Sequence, residues 1–238
     1  LKRLGVEQLN LVQFHWWDYD VPRYVETAQH LKKMQEKGKI KYLGVTNFDV
    51  PRLQELLDSG LQFLTHQVQY SVLDQRPEHG MVALCQKNNI KLLCYGTVAG
   101  GFLSDRYLGM LEPKEPYENR SLTKYKLIID DFGGWDFFQE LLHVLDKISK
   151  KHHVSITNIA TSYVLQKPQV AGVIIGARNT SHLEDNAHIF SFMLDKSDIS
   201  LIDAFLKNAK GPQGDIYELE RTKGGKHAGI MKYNLNKE

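Results

Sequence analysis

The stretch IKYLGVTNFDVPRLQELLDSGLQFLTHQVQY, Ile40 to Tyr70, carries one complete period of the pattern that organises this chain. Ile40 to Thr46 is a short run, apolar on both faces, as expected of a strand covered on both sides of a parallel sheet. Asp49 can cap the helix that follows, Pro51 lies in its first turn, Leu53, Leu56 and Leu57 make its buried face, and Gly60 ends it. The next apolar run, Phe63 to Tyr70, begins almost at once.

The same alternation continues on both sides of this stretch. Further strand runs are Leu9 to Trp16, Ile90 to Gly96 and Val170 to Ile175. Arg23 to Gly38 places Val25, Ala28 and Leu31 on one helical stripe and closes with Lys37 and Gly38. Pro77 to Asn88, Trp135 to His152 and Thr157 to Gln166 are further helices, the last with Ser155 as its cap, and Ser181 to Glu184 has capping-box spacing. Strand, helix, strand repeated in this way implies right-handed crossovers and a parallel sheet. The first strand-to-helix turn lacks a G-x-G-x-x-G fingerprint, which argues against an open dinucleotide-binding sheet. The expected fold is α/β, an incomplete TIM (β/α)8 barrel, because about five β/α units are visible where a closed barrel requires eight strands. Residues 1–210 make up this partial barrel and 211–238 a polar C-terminal tail. The segment Thr97 to Asp131 reads as a loop too long to be a mere connection, and it follows a strand's C-terminal end, where functional loops lie.

Composition narrows the function. Of 238 residues, 42% are hydrophobic and 24% charged, the balance of one globular domain, and a formal net charge of +2 with dispersed Lys and Arg gives no reason to expect a nucleic-acid partner. With no apolar stretch of membrane-spanning length and no signal-peptide pattern, the expectation is a cytoplasmic protein without a membrane partner. Cys85 and Cys94 sit in apolar runs and read as buried free thiols, and no metal site is indicated. Residue 1 is Leu and the first apolar run starts close behind it, so the sequence reads as part of a longer chain.

Polar groups recur at the carboxyl ends of the strands, the end where β/α barrels do their chemistry. His15 ends the first strand among Phe14, Trp16 and Trp17; on position alone it is either a functional group or a structural histidine. The second strand ends at Thr46 and Asn47, and the third carries Gln67. Two amides on neighbouring strands can grip a carboxamide with paired donors and acceptors, as a nicotinamide ring requires.

These residues resemble a family. Gly44-Val45-Thr46-Asn47-Phe48, the strand with Gln67 and Tyr70, the run Tyr95 to Ser104, and Gly176-Ala177-Arg178-Asn179 with Leu183 to Asn186 look like the aldo-keto reductases, in the branch that includes the potassium-channel β subunits and their bacterial relatives. The resemblance spans about residues 3 to 208. It implies that His15 orients a carbonyl substrate, that Thr46, Asn47 and Gln67 hold the nicotinamide carboxamide, and that Tyr95 stacks on the ring. The loop from Gly96 through Thr97 and Ala99 to Arg106 would cover the pyrophosphate, with Arg106 and Arg120 adding charge. Gly176 to Asn186 would open a helix whose N-terminus favours anions, Arg178 forking the adenosine 2′-phosphate, so the implied cofactor is NADP(H) rather than NADH. Asp185 and Asn186 match groups that bind the adenine amino group, whereas His182 departs from the glutamine or arginine usual at its place.

The resemblance also implies groups that have no match. The family's proton donor is a tyrosine tuned by a lysine and an aspartate, all on the first three β/α units, and Lys2, Arg3, Tyr19 and Tyr24 do not match them. Without a positioned acid, carbonyl reduction forgoes about 10²- to 10⁴-fold in rate. An exposed first strand and a half-open interior would also make the chain poorly soluble on its own. Reduction of aldehydes or ketones to alcohols is the leading expectation. A nucleotide-binding regulatory subunit of the channel-β type and a purely structural half-barrel are the rivals. The identity of the carbonyl substrate and the oligomeric state stay open.

Overall fold

The computed structural model describes residues 1–176 and 180–231. Five strands, β1 (Leu9–His15), β2 (Ile40–Thr46), β3 (Thr65–Gln69), β4 (Lys91–Tyr95) and β5 (Val170–Ile174), form one parallel sheet in the order β1-β2-β3-β4-β5. Sequential parallel order follows from the helical crossovers α1 (Tyr24–Glu36), α2 (Val50–Asp58) and α3 (Met81–Lys87), and from α4 (Arg120–Phe132), α5 (Trp135–His152) and α6 (Ile156–Leu165) between β4 and β5. Beyond β5 lie α7 (Leu183–Ala187), α8 (Lys196–Leu206), α9 (Glu218–Arg221) and α10 (Lys226–Gly229). Among the described residues β1 and β5 are the two sheet edges.

Local signals account for the helix ends. Asp49 accepts from the Arg52 amide at 3.0 Å and Ser155 from the Asn158 amide at 3.3 Å, so both expected caps are made. The Pro77–Asn88 helix, by contrast, is split into a 3-10 turn, Arg76–Glu78, and α3, because Gly80 between them has φ +108°. The helix expected to open at Ser181 is only the five residues of α7, and its N-cap, His182, makes no side-chain cap hydrogen bond.

Two expectations about the core and loops are corrected. The two faces of the strands differ: Phe14, Leu43, Val45, Val68, Leu92 and Cys94 are buried on one, while the alternate positions carry Gln13, Thr46, Thr65, Gln67, Gln69 and Tyr95. Side chains alternate along a strand, so one face of the sheet gathers most of the strand polar groups, with Leu11, Ile40 and Leu93 among them. Inside Thr97–Asp131 lies α4, capped by Asn119 accepting from the Leu122 amide at 3.1 Å, with Leu122, Tyr125, Ile128, Ile129 and Phe132 buried at helical spacing. Cys85 and Cys94 are free and buried, as expected.

The segment 211–231 folds back over the strand ends. Asp215 Oδ2 accepts from the Val50 amide at 2.8 Å, and Lys226 and His227 reach Asp131 on α4 at 2.5 and 2.6 Å. His227 and Glu220 are buried.

Candidate functional site

Register brings the polar groups into rows. His15 pairs with Thr46 and Thr46 with Gln67, so the three stand side by side across β1, β2 and β3, and Gln69 pairs with Tyr95 one step further on. Asn47, the residue after β2, has φ +57°, a left-handed conformation that asparagine tolerates better than most residues. That turn directs its amide to β4, where the Tyr95 hydroxyl donates to Asn47 Oδ1 at 2.9 Å. Gln67 Nε2 donates to Gln13 Oε1 at 3.0 Å. Each amide therefore has one half committed. Among the described residues Asn47 Nδ2 remains as a donor and Gln67 Oε1 as an acceptor, the pair that complements a carboxamide.

The loop after β4 turns back on itself through left-handed backbone at Gly96, Ala99, Gly100 and Gly101. A Cβ at Gly96 would stand 2.5 Å from the Tyr125 hydroxyl, so α4 can press on this loop only where it lacks side chains. The Thr97 hydroxyl is buried and has no partner among the described residues. A bound group with an acceptor or donor at this loop would complete it.

The C-terminal segment contributes residues that the sequence reading assigned only to a polar tail. Tyr217, itself at φ +58°, meets the His15 ring edge-on with centroids 6.2 Å apart and the Trp17 ring at 5.5 Å, while Trp17 meets His15 at 6.1 Å. These three nearly perpendicular rings make a corner around His15. Arg221 donates from Nε to the Trp17 carbonyl, from one terminal nitrogen to the Trp16 carbonyl and from the other to the Asn47 carbonyl, at 3.0, 2.9 and 2.8 Å. Glu220 is enclosed with Arg76, which also pairs with Asp74, and Lys124 of α4 lies 3.7 Å from Glu220 and 5.2 Å from the centre of the Tyr95 ring. Lys124 is half-hidden within a helix read as loop, and no sequence signal marked Glu220 or Arg221. Both close a charged run, Lys207 to Arg221, in which basic and acidic residues alternate.

Electrostatics follow from this enclosure. Partial burial, then the Arg221 charge, lower the His15 pKa and favour the neutral imidazole. Burial raises the Tyr95 pKa well above the ordinary phenol, with the Glu220 charge acting in the same direction. Burial also lowers the Lys124 pKa against the pull of Glu220. For Glu220 burial opposes ionisation, but Arg76 and Lys124 outweigh it and hold the carboxyl below its usual range.

The outer candidates are less gathered. Arg106 is exposed and pairs loosely with Glu118 at 3.8 Å, and Arg120, exposed, begins α4. Gly176 and His182 are exposed and Asn186 is half-buried. Asp185 accepts from Ser155 Oγ at 3.0 Å and from Asn158 Nδ2 at 3.1 Å, so its carboxylate ties α7 to the start of α6. The five-residue α7 lacks the length to make the anion-binding helix terminus that the sequence suggested, and Arg178 lies outside the described residues.

A family model described as the aldo/keto reductase family matches residues 1–207. The aldo-keto reductase YhdN of Bacillus subtilis (strain 168) is 28% identical over 212 residues, covering 87% of this chain and 61% of its own. The L-glyceraldehyde 3-phosphate reductase of Escherichia coli (strain K12) is 26% identical, covering 78% of this chain and 54% of its own. A glycerol dehydrogenase from Gluconobacter oxydans, 24% identical, superposes with a TM-score of 0.72 over 90% of this chain and 63% of its own, which shows a shared fold. The chain thus spans less than two thirds of the length of these relatives. With the family match running from β1 through α8, on a parallel sheet of the kind these relatives share, the chain belongs to the aldo/keto reductase family.

Proposed function

We propose that this site serves an NADP(H)-dependent oxidoreductase that reduces small-molecule aldehydes or ketones to alcohols in the cytoplasm. The observation that carries the reading is the complementary pair of uncommitted amide atoms, Asn47 Nδ2 and Gln67 Oε1, on the same strand ends as His15 and Tyr95. The unpartnered Thr97 hydroxyl in a loop of left-handed backbone supports the fit of a phosphate-bearing cofactor.

A bound nicotinamide dinucleotide supplies the hydride for carbonyl reduction. Asn47 and Gln67 would hold its carboxamide and so select the ring face, with Thr46 beside them and Tyr95 as the aromatic wall. The backbone of Gly96, Thr97 and Ala99 would hold the pyrophosphate, and Arg106 and Arg120 would add positive charge. His15, kept neutral, donates its ring N–H to the carbonyl oxygen where negative charge develops. Arg178, Asp185, Asn186 and His182 serve the adenosine end, and the arginine is the reason for preferring the 2′-phosphorylated nucleotide. The proton that completes the alcohol is assigned to none of these residues.

The test is a titration with NADPH and with NADH, following the fluorescence of the three tryptophans, two of which, Trp16 and Trp17, adjoin His15, alongside an assay of aldehyde reduction. NADPH is expected to quench at lower concentration than NADH, and Asn47→Ala to weaken NADPH about tenfold through loss of one amide donor. If a folded chain binds neither nucleotide, the reading is wrong.

A further inference from the structure

We propose that Arg221 is a positioning residue of this site, clamping the backbone that follows β1 to the backbone that follows β2 so that His15 and Asn47 are held at a fixed separation. The inference rests on the reading of these strand ends as the nucleotide and carbonyl site. Three of its guanidinium nitrogens are each spent on a different main-chain carbonyl, those of Trp16, Trp17 and Asn47. The first two follow His15 directly, and the third belongs to the residue whose side chain offers the carboxamide donor. A planar fork with donors in a rigid array suits three carbonyls as an ammonium does not.

The surroundings hold the guanidinium where it is. Its carbon lies 4.2 Å from the centre of the Tyr19 ring and 5.1 Å from that of Tyr217, so aromatic rings flank it. Its neighbour Glu220 is locked to Arg76 on the segment after β3, and Lys223 pairs with Asp20 at 2.5 Å on the loop after β1. The clamp is thus set from both sides along the chain.

The same residue acts on His15 through its charge. The ionisable groups around this corner include Arg221 and Tyr217 from the C-terminal segment, Tyr19 after β1 against the guanidinium, Lys124 of α4 over the Tyr217 ring, Glu220 paired with Arg76 and Lys124, and Asp49 at the start of α2, paired with Arg52. Of these, Arg221 is the one that disfavours a charged His15, in addition to burial. A neutral imidazole keeps one N–H for donation and adds no second cation beside the guanidinium.

The experiment is an NMR titration of His15 in the chain, its signals assigned with His15→Gln, together with the Asn47 side-chain amide signal and the NADPH dissociation constant. His15 in the unsubstituted chain is expected to titrate below 6.5. In Arg221→Gln its midpoint should rise and the Asn47 amide signal should move. Arg221→Lys keeps the charge but loses the fork, so the His15 midpoint should stay low while the Asn47 signal moves and NADPH binds about tenfold more weakly. Lys150→Gln, which removes an exposed ion pair on α5, should change none of these. Unaltered His15 and Asn47 signals in folded Arg221→Gln overturn the proposal. Should that variant not fold, an unaltered Asn47 signal in Arg221→Lys overturns it. Absence of nucleotide binding by the unsubstituted chain removes the oxidoreductase reading, and the NMR signals still decide whether Arg221 positions His15 and Asn47.

Discussion

Arg76 and Glu220 stand 144 positions apart in the chain, yet their guanidinium and carboxylate meet at 3.2 Å with both side chains almost wholly out of solvent. Asp74 completes the group at 2.7 Å from Arg76. A charge enclosed in this way depends on its partners, because removing one leaves the other buried without compensation.

Truncating Glu220 should therefore be costly. Glu220→Ala is expected to lower the unfolding free energy by about 3 kcal/mol, the lower end for breaking a buried pair, since Asp74 still holds Arg76. Urea denaturation reads this directly. A loss under 1 kcal/mol would mean that solvent enters the group freely.

Gly44 faces Thr65 across the β2 and β3 pairing, and a Cβ there would lie 2.4 Å from Thr65 Oγ1 and 3.0 Å from the Thr65 carbonyl. Gly44→Ala should cost about 1–3 kcal/mol by overpacking. Combining it with Thr65→Ala should restore part of the loss, because only the hydroxyl contact is relieved. Melting temperatures of the two single variants and the double variant check the coupling.

Acid should act through His66. The residue is buried, its Nε2 accepts from the Phe48 amide at 3.2 Å, and burial pushes its pKa down from 6.5 to about 3. With the folded value depressed, the unfolded chain binds the proton first. Its contribution to stability is thus complete above pH 6.5 and is lost as pH falls from there toward 3, at up to about 1.4 kcal/mol per unit. Stability measured between pH 7 and 4 should fall less steeply in His66→Gln than in the unsubstituted chain. Parallel curves would show that His66 is not the group responsible.

Burial pushes both thiols, Cys85 and Cys94, up to about 12. Neither should react with a disulfide reagent at pH 8 while the chain is folded, since the thiolate is the nucleophile. Both should react after unfolding in guanidinium. Fast reaction of the native chain would contradict their enclosure.

The sequence by itself determined the order of the strands, the helices that join them and the residues at the strand ends. These follow from local properties: apolar runs, helical stripes and caps such as Asp49 and Ser155 leave their mark within a few residues. Thr46, Asn47 and Tyr95 are legible because each falls at or just after a strand terminus, and the register places Gln67, in the middle of β3, beside Thr46. The stripe Leu122, Tyr125, Ile128, Ile129 and Phe132 of α4 has helical spacing, but it lies within a long segment whose first half, with Gly100, Gly101, Gly109, Pro113 and Pro116, reads as loop. Only the tertiary structure decided that one sheet face is polar, that Asp185 is tied to Ser155 and Asn158, and that Tyr217, Glu220 and Arg221 cover the strand ends. Whether a charged residue is solvated or buried depends on what packs against it from elsewhere. For Arg221 the acceptors lie 174 to 205 positions away, beyond the reach of any local pattern.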